Sequence, residues 1–251
     1  MGKSVLGLLC GLLLALATCG GALASGAARP TMAATTWRAG IGGETPDHAI
    51  QAQAFLPASL TIDEGDTVTW TMNPDFVHTV TFLSVKPQPP VVSVEGSTVF
   101  QPAETAFPSG GPTYDGTSLV NSGLLEGKGK SFSLTFTKAG TYGYICLLHP
   151  GMGAVVVVQP AGAAYPMTQA QVDAQANAEL YDNLSRGYQY AQSAKPTSKA
   201  NANGTTSYTV VDGAGNNQAS VLRFLPVDLT VKAGDSVTWL GDDPAEIHTV
   251  T

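Results

Sequence analysis

The chain has few charged residues and few cysteines. Charged side chains make up 12% of its 251 residues, and the formal net charge is −7. The sequence contains no run of lysine and arginine, which argues against a nucleic-acid-binding protein, because such proteins need clustered positive charge to contact the phosphates. Glycine and proline are plentiful instead, with 28 and 16 copies. This composition favours strands joined by turns and irregular loops over long helices.

The first 24 residues predict an export signal. Lys3 supplies the positive start, residues 5–17 form the apolar stretch, and residues 22–24 (Ala-Leu-Ala) form a cleavage site of small residues. The apolar stretch is shorter than the about 20 residues of a membrane span. Two alternatives stay open: a lipoprotein signal ending at Cys19, or an uncleaved anchor. We therefore expect an exported protein, periplasmic or extracellular, attached to the outer face of the membrane if Cys19 is lipidated.

Cys146 is the only cysteine that remains once the signal is removed, because Cys10 and Cys19 lie within it or at its edge. A single cysteine cannot form an intramolecular disulfide. A free thiol outside the cell is also easily oxidised when it is exposed. We therefore expect Cys146 to be either a metal ligand or a buried, inert thiol.

Residues 37–160 show the alternating pattern of β-strands, after a leader at residues 25–36 whose small residues predict flexibility. The predicted strands cover residues 49–55, 59–62, 67–70, 78–82, 131–137, 141–146 and 154–158. Residues 83–125 are interrupted by six prolines, which predicts a long loop region with short strands. The pattern as a whole predicts an all-β domain.

Residues 161–203 predict a helix followed by a linker. The segment 167–191 is rich in alanine, glutamine, asparagine and aspartate and has no β-branched run, which favours one helix of about 20 residues. Thr168 and Gln171 have the spacing of a capping box, in which each side chain accepts a hydrogen bond from the main-chain N–H group of the other. The polar segment at 196–204 predicts a linker.

The C-terminal part of the chain repeats part of the strand-rich domain. The segments Phe-Leu-Pro, Leu-Thr and Gly-Asp-Thr/Ser-Val-Thr-Trp of residues 55–70 recur at 224–239, with an offset of 169 residues. The segment His-Thr-Val-Thr at 78–81 recurs at 248–251, after one inserted residue. Residues 204–251 are therefore predicted to be the N-terminal half of a second domain of the same type. Because the repeat stops before a second cysteine motif, we expect this sequence to be a fragment of a longer gene product.

The candidate chemistry lies in a Cys-x2-His-x2-Met motif formed by Cys146, His149 and Met152. The cysteine ends a predicted strand and the other two residues follow on a short loop, so one loop can present three ligands to one point. His78, at the edge of an upstream strand, can supply the fourth. One thiolate and two imidazoles in a plane, with a weak axial thioether, form the ligand set of a blue copper site. The alternatives are a buried structural thiol, a core histidine and a methionine that only fills space.

Residues 37–160 resemble the cupredoxin family, in its plastocyanin and amicyanin branch. The matching motifs are Gly-Asp-Thr-Val-Thr-Trp at 65–70, His-Thr-Val-Thr-Phe at 78–82, and Gly-Thr-Tyr-Gly-Tyr-Ile-Cys at 140–146, which leads into the candidate ligand loop. The resemblance implies a Greek-key β-sandwich that binds one copper ion in a type 1 site and transfers single electrons. It also implies that residues 204–251 are half of a second cupredoxin-like domain.

The resemblance further implies where electrons enter and leave. His149 is expected to lie nearest the surface and to act as the electron port, ringed by apolar residues such as Leu147, Leu148, Pro150 and Met152. One position departs from the pattern of the family. Plastocyanin-like proteins often carry asparagine directly after the upstream histidine, where it ties the two ligand loops together, and this chain has Thr79. The hydrogen bonds around the ligands, and with them the reduction potential, are expected to differ.

The sequence as a whole predicts an exported blue copper protein, not an enzyme, that passes single electrons between redox partners by transient docking. Contact with a membrane is expected only through a lipid at Cys19. The alternatives are a fragment of a multi-domain copper oxidoreductase and a copper-carrying or storage protein. The first would need more histidines, and the chain has four with no His-x-His pair. The second would favour clustered methionines or histidines, whereas the methionines here are scattered.

Overall fold

The computed structural model describes residues 1–2, 33–84 and 86–251. The predicted export signal, apart from its first two residues, lies outside the described residues, as does most of the predicted leader at 25–36. No helix in the described segments combines the length and the apolar character that crossing a bilayer requires.

Short strands dominate the described part of the chain. The N-terminal elements are β1 (Thr36–Glu44), β2 (Ile50–Leu56), β3 (Ser59–Asp63), β4 (Thr67–Met72), β5 (Val77–His78), β6 (Thr81–Phe82), β7 (Ser93–Glu95), β8 (Thr98–Phe100), α1 (Ala103–Ala106), β9 (Thr113–Tyr114), β10 (Val120–Asn121), β11 (Leu125–Glu126), β12 (Ser131–Phe136), β13 (Gly140–Ile145) and β14 (Gly153–Gln159). The C-terminal elements are α2 (Gln169–Ser193), β15 (Thr197–Ala200), β16 (Thr206–Asn216), β17 (Ala219–Leu225) and β18 (Ser236–Asp242).

Alternation along the strands builds the core. In β4, Val68, Trp70 and Met72 are buried while the threonines between them are partly exposed, as expected for a strand with one face towards the interior. The Trp70 indole packs edge-on against Phe82 and Tyr144, with ring centroids 5.8 and 5.3 Å away. Its Nε1–H group donates a hydrogen bond of 3.0 Å to the Tyr144 hydroxyl, which satisfies the one polar group that this large side chain brings into the core.

Two sheets contribute to this core. In the part of the chain that the structure describes, the larger sheet has the order β15-β16-β17-β2-β1-β4-β12-β9, and β18 also pairs with β16. The smaller sheet has the order β10-β6-β13-β14-β3. Buried side chains from both sheets form one apolar cluster. The predicted all-β sandwich is confirmed.

The predicted strand at 78–82 is wrong in one respect, because the structure divides it into β5 and β6. The main-chain N–H group of Thr79 donates to Sγ of Cys146, and that of Val80 donates to the Ser122 hydroxyl. These groups therefore bond to side chains instead of a neighbouring strand. The interruption lies next to His78, so it bears directly on the candidate site.

The long helix α2 is preceded by Thr168 as its N-cap and has the predicted capping box, in which Thr168 and Gln171 exchange side-chain to main-chain hydrogen bonds. The helix is 25 residues long, longer than the about 20 residues that the composition favours. It packs on β1, β2 and β17. The segment after it, predicted as a linker, contains the short strand β15.

The C-terminal strands continue the larger sheet. β17 pairs antiparallel with β2, through Ala219 opposite Ala52 and Val221 opposite Ile50. β16 pairs in parallel with β18, as β1 does with β4, and each of β1 and β16 carries a register shift near its end. That these strands are half of a second cupredoxin-like domain stays a prediction.

Candidate metal centre

Three side chains from distant parts of the sequence converge at one end of the sandwich. His78 ends β5, Cys146 follows β13, and His149 lies in the loop between β13 and β14. One donor atom from each lies within 4.8 Å of the other two. The two Nδ1 atoms are 2.9 Å apart, and Sγ of Cys146 lies 3.8 Å from Nδ1 of His78 and 3.3 Å from Nδ1 of His149. All three residues are 3% exposed or less.

The spacing of these three donor atoms fits a metal ion. The centre of a triangle with these sides lies about 2.0 Å from each corner, close to the length of a metal–imidazole bond. A thiolate with two imidazoles is the equatorial donor set of a type 1 copper site. Cys146, His78 and His149 therefore fit one such site.

The loop after Cys146 is closed by its own main chain. The N–H group of Cys146 donates to the carbonyl of Met152 at 3.0 Å, and the N–H group of Met152 donates to the carbonyl of His149 at 3.1 Å. Gly151 has a φ of +85°, a left-handed conformation that a residue with a Cβ atom rarely adopts. Met152 is 1% exposed and belongs to the same buried cluster as Cys146. Its role as axial ligand stays a prediction.

Thr79 connects the two segments that carry the candidate ligands. Its Oγ1 accepts a hydrogen bond of 2.8 Å from the main-chain N–H group of Leu147, and its own N–H group donates to Sγ of Cys146 at 3.4 Å. Oγ1 also accepts from the Thr81 hydroxyl at 3.1 Å. Thr79 thus makes the link between ligand loops that the resemblance assigns to an asparagine.

Replacement of Thr79 tests this link. Thr79→Val is expected to lower the free energy of unfolding by about 1–3 kcal/mol, because the buried N–H group of Leu147 would lose its acceptor. Urea denaturation of the copper-free chain measures the difference. Thr79→Ser keeps the hydroxyl and should cost less. A loss in Thr79→Ser with no loss in Thr79→Val would show that the methyl group, and not the hydrogen bond, stabilises this region.

The electrostatics of the site favour the metal-binding form of the thiol. Burial raises the pKa of Cys146, but hydrogen bonds with His149 and His78 outweigh it and hold the pKa well below its usual value. Burial also lowers the pKa of His149, whereas its hydrogen bonds with Cys146 and Glu246 raise that pKa, to about 9. Burial lowers the pKa of His78. Without metal, the site therefore favours a thiolate beside a protonated His149, and the thiolate is the species that binds metals.

His149, which the resemblance places nearest the surface, is covered in the structure, with only 3% of the residue exposed. Its Nε2 atom is 2.9 Å from Oε1 of Glu246, in the C-terminal segment. The ring of Phe76 stacks on it with the centroids 5.5 Å apart. Glu246 could not be found from sequence patterns, because it lies almost 100 residues from His149 and reaches it only through the packing of the C-terminal strands on β2.

The remaining histidines lie outside this cluster. His48 is largely exposed and forms an ion pair of 3.0 Å with Glu44. His248, the repeat counterpart of His78, lies 3.3 Å from a carboxylate oxygen of Asp243. Neither residue is near enough to the three donor atoms to join them.

Several known proteins are similar to parts of this chain. The family described as copper binding proteins, plastocyanin/azurin family, matches residues 46–159. A chloroplastic plastocyanin of Tetradesmus obliquus is 34% identical over 110 residues, covering 43% of this chain and 60% of that protein. A plastocyanin of Scenedesmus fuscus is 34% identical over 102 residues, covering 41% of this chain and 81% of that protein. Amicyanin from Paracoccus versutus, a solved structure, is 21% identical, with a TM-score of 0.32 over 49% of this chain and 81% of its own.

The sandwich and the buried Cys-His-His cluster define a cupredoxin with one type 1 copper site. The match to the family model and the 34% identity over 81% of the Scenedesmus plastocyanin identify the family within the cupredoxins. This chain belongs to the plastocyanin/azurin family of copper-binding proteins.

Proposed function

We propose that this chain is an exported type 1 copper protein that carries single electrons between redox partners and is not an enzyme. The observation that carries the proposal is the buried convergence of Cys146 with His78 and His149, in a chain of the plastocyanin/azurin family. Copper bound there would supply a one-electron couple between Cu(I) and Cu(II). Redox partners would dock transiently, as is common for small redox interfaces.

In this proposal His78, Cys146, His149 and Met152 are the copper ligands. The two histidines would bind through Nδ1, since these atoms face Sγ of Cys146. The thiolate of Cys146 would provide most of the electronic coupling. Met152 would be the weak axial ligand, which is supported by its burial and by its place at the end of the closed ligand loop.

The contribution of the protein is a rigid and dry set of donors. Main-chain hydrogen bonds close the ligand loop, and Thr79 fixes it to the segment that carries His78. The burial of all three donor residues excludes water. A site that is already arranged, with little room to change, suits electron transfer because both oxidation states can share one geometry.

Copper titration tests the proposal. Addition of Cu(II) to the metal-free chain is expected to give an intense blue colour that reaches saturation at one copper per chain. A mild reductant should bleach the colour and a mild oxidant should restore it over repeated cycles. Visible absorption and metal analysis give the two readouts. A colourless complex that holds copper only as Cu(I) would contradict electron transfer and support copper carriage or storage.

We also propose the organisation of the rest of the chain. Residues 1–24 would direct export to the periplasm or the cell exterior, and residues 37–160 would form the copper domain. Residues 161–203 would join it to half of a second cupredoxin-like domain at 204–251. The parallel pairing of β16 with β18, which repeats that of β1 with β4, supports the last assignment.

A further inference from the structure

The C-terminal segment places a carboxylate directly behind a candidate copper ligand. Oε1 of Glu246 accepts hydrogen bonds from Nε2 of His149 at 2.9 Å and from Nε2 of Gln53 at 2.8 Å. Only 14% of the Glu246 side chain is exposed. We propose that Glu246 is a positioning residue for the copper centre, which holds the His149 imidazole from its outer side and closes the edge where His149 would otherwise meet solvent. This inference rests on the proposed function.

The turn that carries Glu246 is itself held in place. Oδ1 of Asp243 accepts hydrogen bonds from the main-chain N–H groups of Ala245 and Glu246, at 3.0 and 3.2 Å. The same oxygen accepts from the hydroxyl of Ser220 at 3.2 Å. Ser220 is fully buried in β17. The carboxylate of Glu246 is therefore presented by a fixed turn rather than by a free chain end.

The C-terminal strands are joined to the copper domain by main-chain hydrogen bonds. β17 pairs with β2, and the N–H group of Gln53 donates to the carbonyl of Gln218 at 2.8 Å. Asn217, in the turn before β17, lies against the ligand loop, where a Cβ atom added at Gly151 would be only 2.5 Å from Cβ of Asn217. The contact between Glu246 and His149 is thus one of several contacts of the C-terminal strands with β2 and the ligand loop. These other contacts hold Glu246 beside His149.

The chemical effect of Glu246 follows from the atoms that it contacts. Donation from Nε2–H to the carboxylate fixes the imidazole tautomer and leaves Nδ1 free as the ligand atom. A carboxylate in this position also makes the imidazole a stronger electron donor. It therefore favours the more highly charged Cu(II) form, and removing it should raise the reduction potential.

Two variants separate the charge of Glu246 from its hydrogen bond. Glu246→Gln keeps an oxygen acceptor and removes the charge, whereas Glu246→Ala removes both. In both variants we expect the ratio of Cu(I) to Cu(II) at a fixed ambient potential to rise. For Glu246→Ala we expect a rise of about tenfold, which is the lower end of the effects that follow when a hydrogen-bond partner of a metal-bound histidine is removed. In the metal-free chain, NMR should show faster solvent exchange of the His149 Nε2 proton in Glu246→Ala. Asp228→Asn, which removes an exposed carboxylate of the same segment, should change neither readout.

The outcomes of this experiment are distinct. A blue wild-type chain whose Glu246 variants match Asp228→Asn in both potential and proton exchange would overturn this inference alone. A wild-type chain that never turns blue would overturn the proposed function and this inference with it. A raised potential in both variants, with faster proton exchange in Glu246→Ala, would establish Glu246 as a positioning residue, because a role in stability alone would not move the potential of Glu246→Gln.

Discussion

Replacing Cys146 with serine is expected to abolish the blue colour of the copper-loaded protein completely. The colour of a type 1 site comes from the bond between a thiolate and Cu(II). A serine hydroxyl does not ionise in the range where Cys146 does, and it is a poor ligand for copper. Cys146 is the one cysteine among residues 33–84 and 86–251, so no other thiol in that part of the chain can replace it.

The measurement combines visible absorption with circular dichroism. Serine is close to cysteine in size, so the fold should be retained and the loss of colour can be attributed to the missing thiolate. Cys19→Ser is the matched control, since it makes the same chemical change within the predicted export signal and should leave the colour intact. Blue colour in the folded Cys146→Ser variant would mean that another residue provides the thiolate.

The second large effect concerns stability and compares two tryptophans that occupy equivalent places in the repeat. Trp70 is fully buried, whereas Trp239 is 47% exposed. Trp70→Ala should cost about 3–5 kcal/mol of unfolding free energy, because it leaves a cavity among Phe82 and Tyr144 and removes the partner of the Tyr144 hydroxyl. Trp239→Ala should cost less than about 1 kcal/mol, in the range of surface substitutions.

Urea denaturation of the two variants and the wild-type chain measures this difference. Each substitution removes the same atoms, so the comparison isolates the effect of burial. If Trp239→Ala destabilised the protein as much as Trp70→Ala does, the exposed face of β18 would have to be covered in solution. Equal and small losses would instead contradict the central position of Trp70 in the core.

Local patterns in the sequence predicted the parts of the structure that depend on neighbouring residues. The alternation in β4 and β12 and the capping box of α2 all concern residues a few positions apart. The pairing of Cys146 with His149 was also predictable, because one short loop carries both. The addition of His78 needed the resemblance as well as the repeated His-Thr-Val-Thr segment.

The remaining features depend on contacts between distant segments. The interruption between β5 and β6 arises because the main-chain N–H groups of Thr79 and Val80 bond to side chains from distant segments. The alternation of apolar and polar residues cannot predict such bonds. The imidazole of His149 lies against Phe76 and against Glu246 of the C-terminal segment. The resemblance places His149 nearest the surface, and it gives no sign that Glu246 of the C-terminal segment lies against this imidazole.

The pairing of β17 with β2 has a consequence for any shortened form of this protein. β2 is an interior strand of the larger sheet only because β17 pairs with the edge of β2 that faces away from β1. A chain cut after residue 160 would turn β2 into a border strand with a row of free N–H and C=O groups, and Ile50 would lose the apolar contact with Val221 that now shields it. Such a border is a template for pairing with another molecule. We therefore expect a chain cut after residue 160 to associate with other molecules through β2.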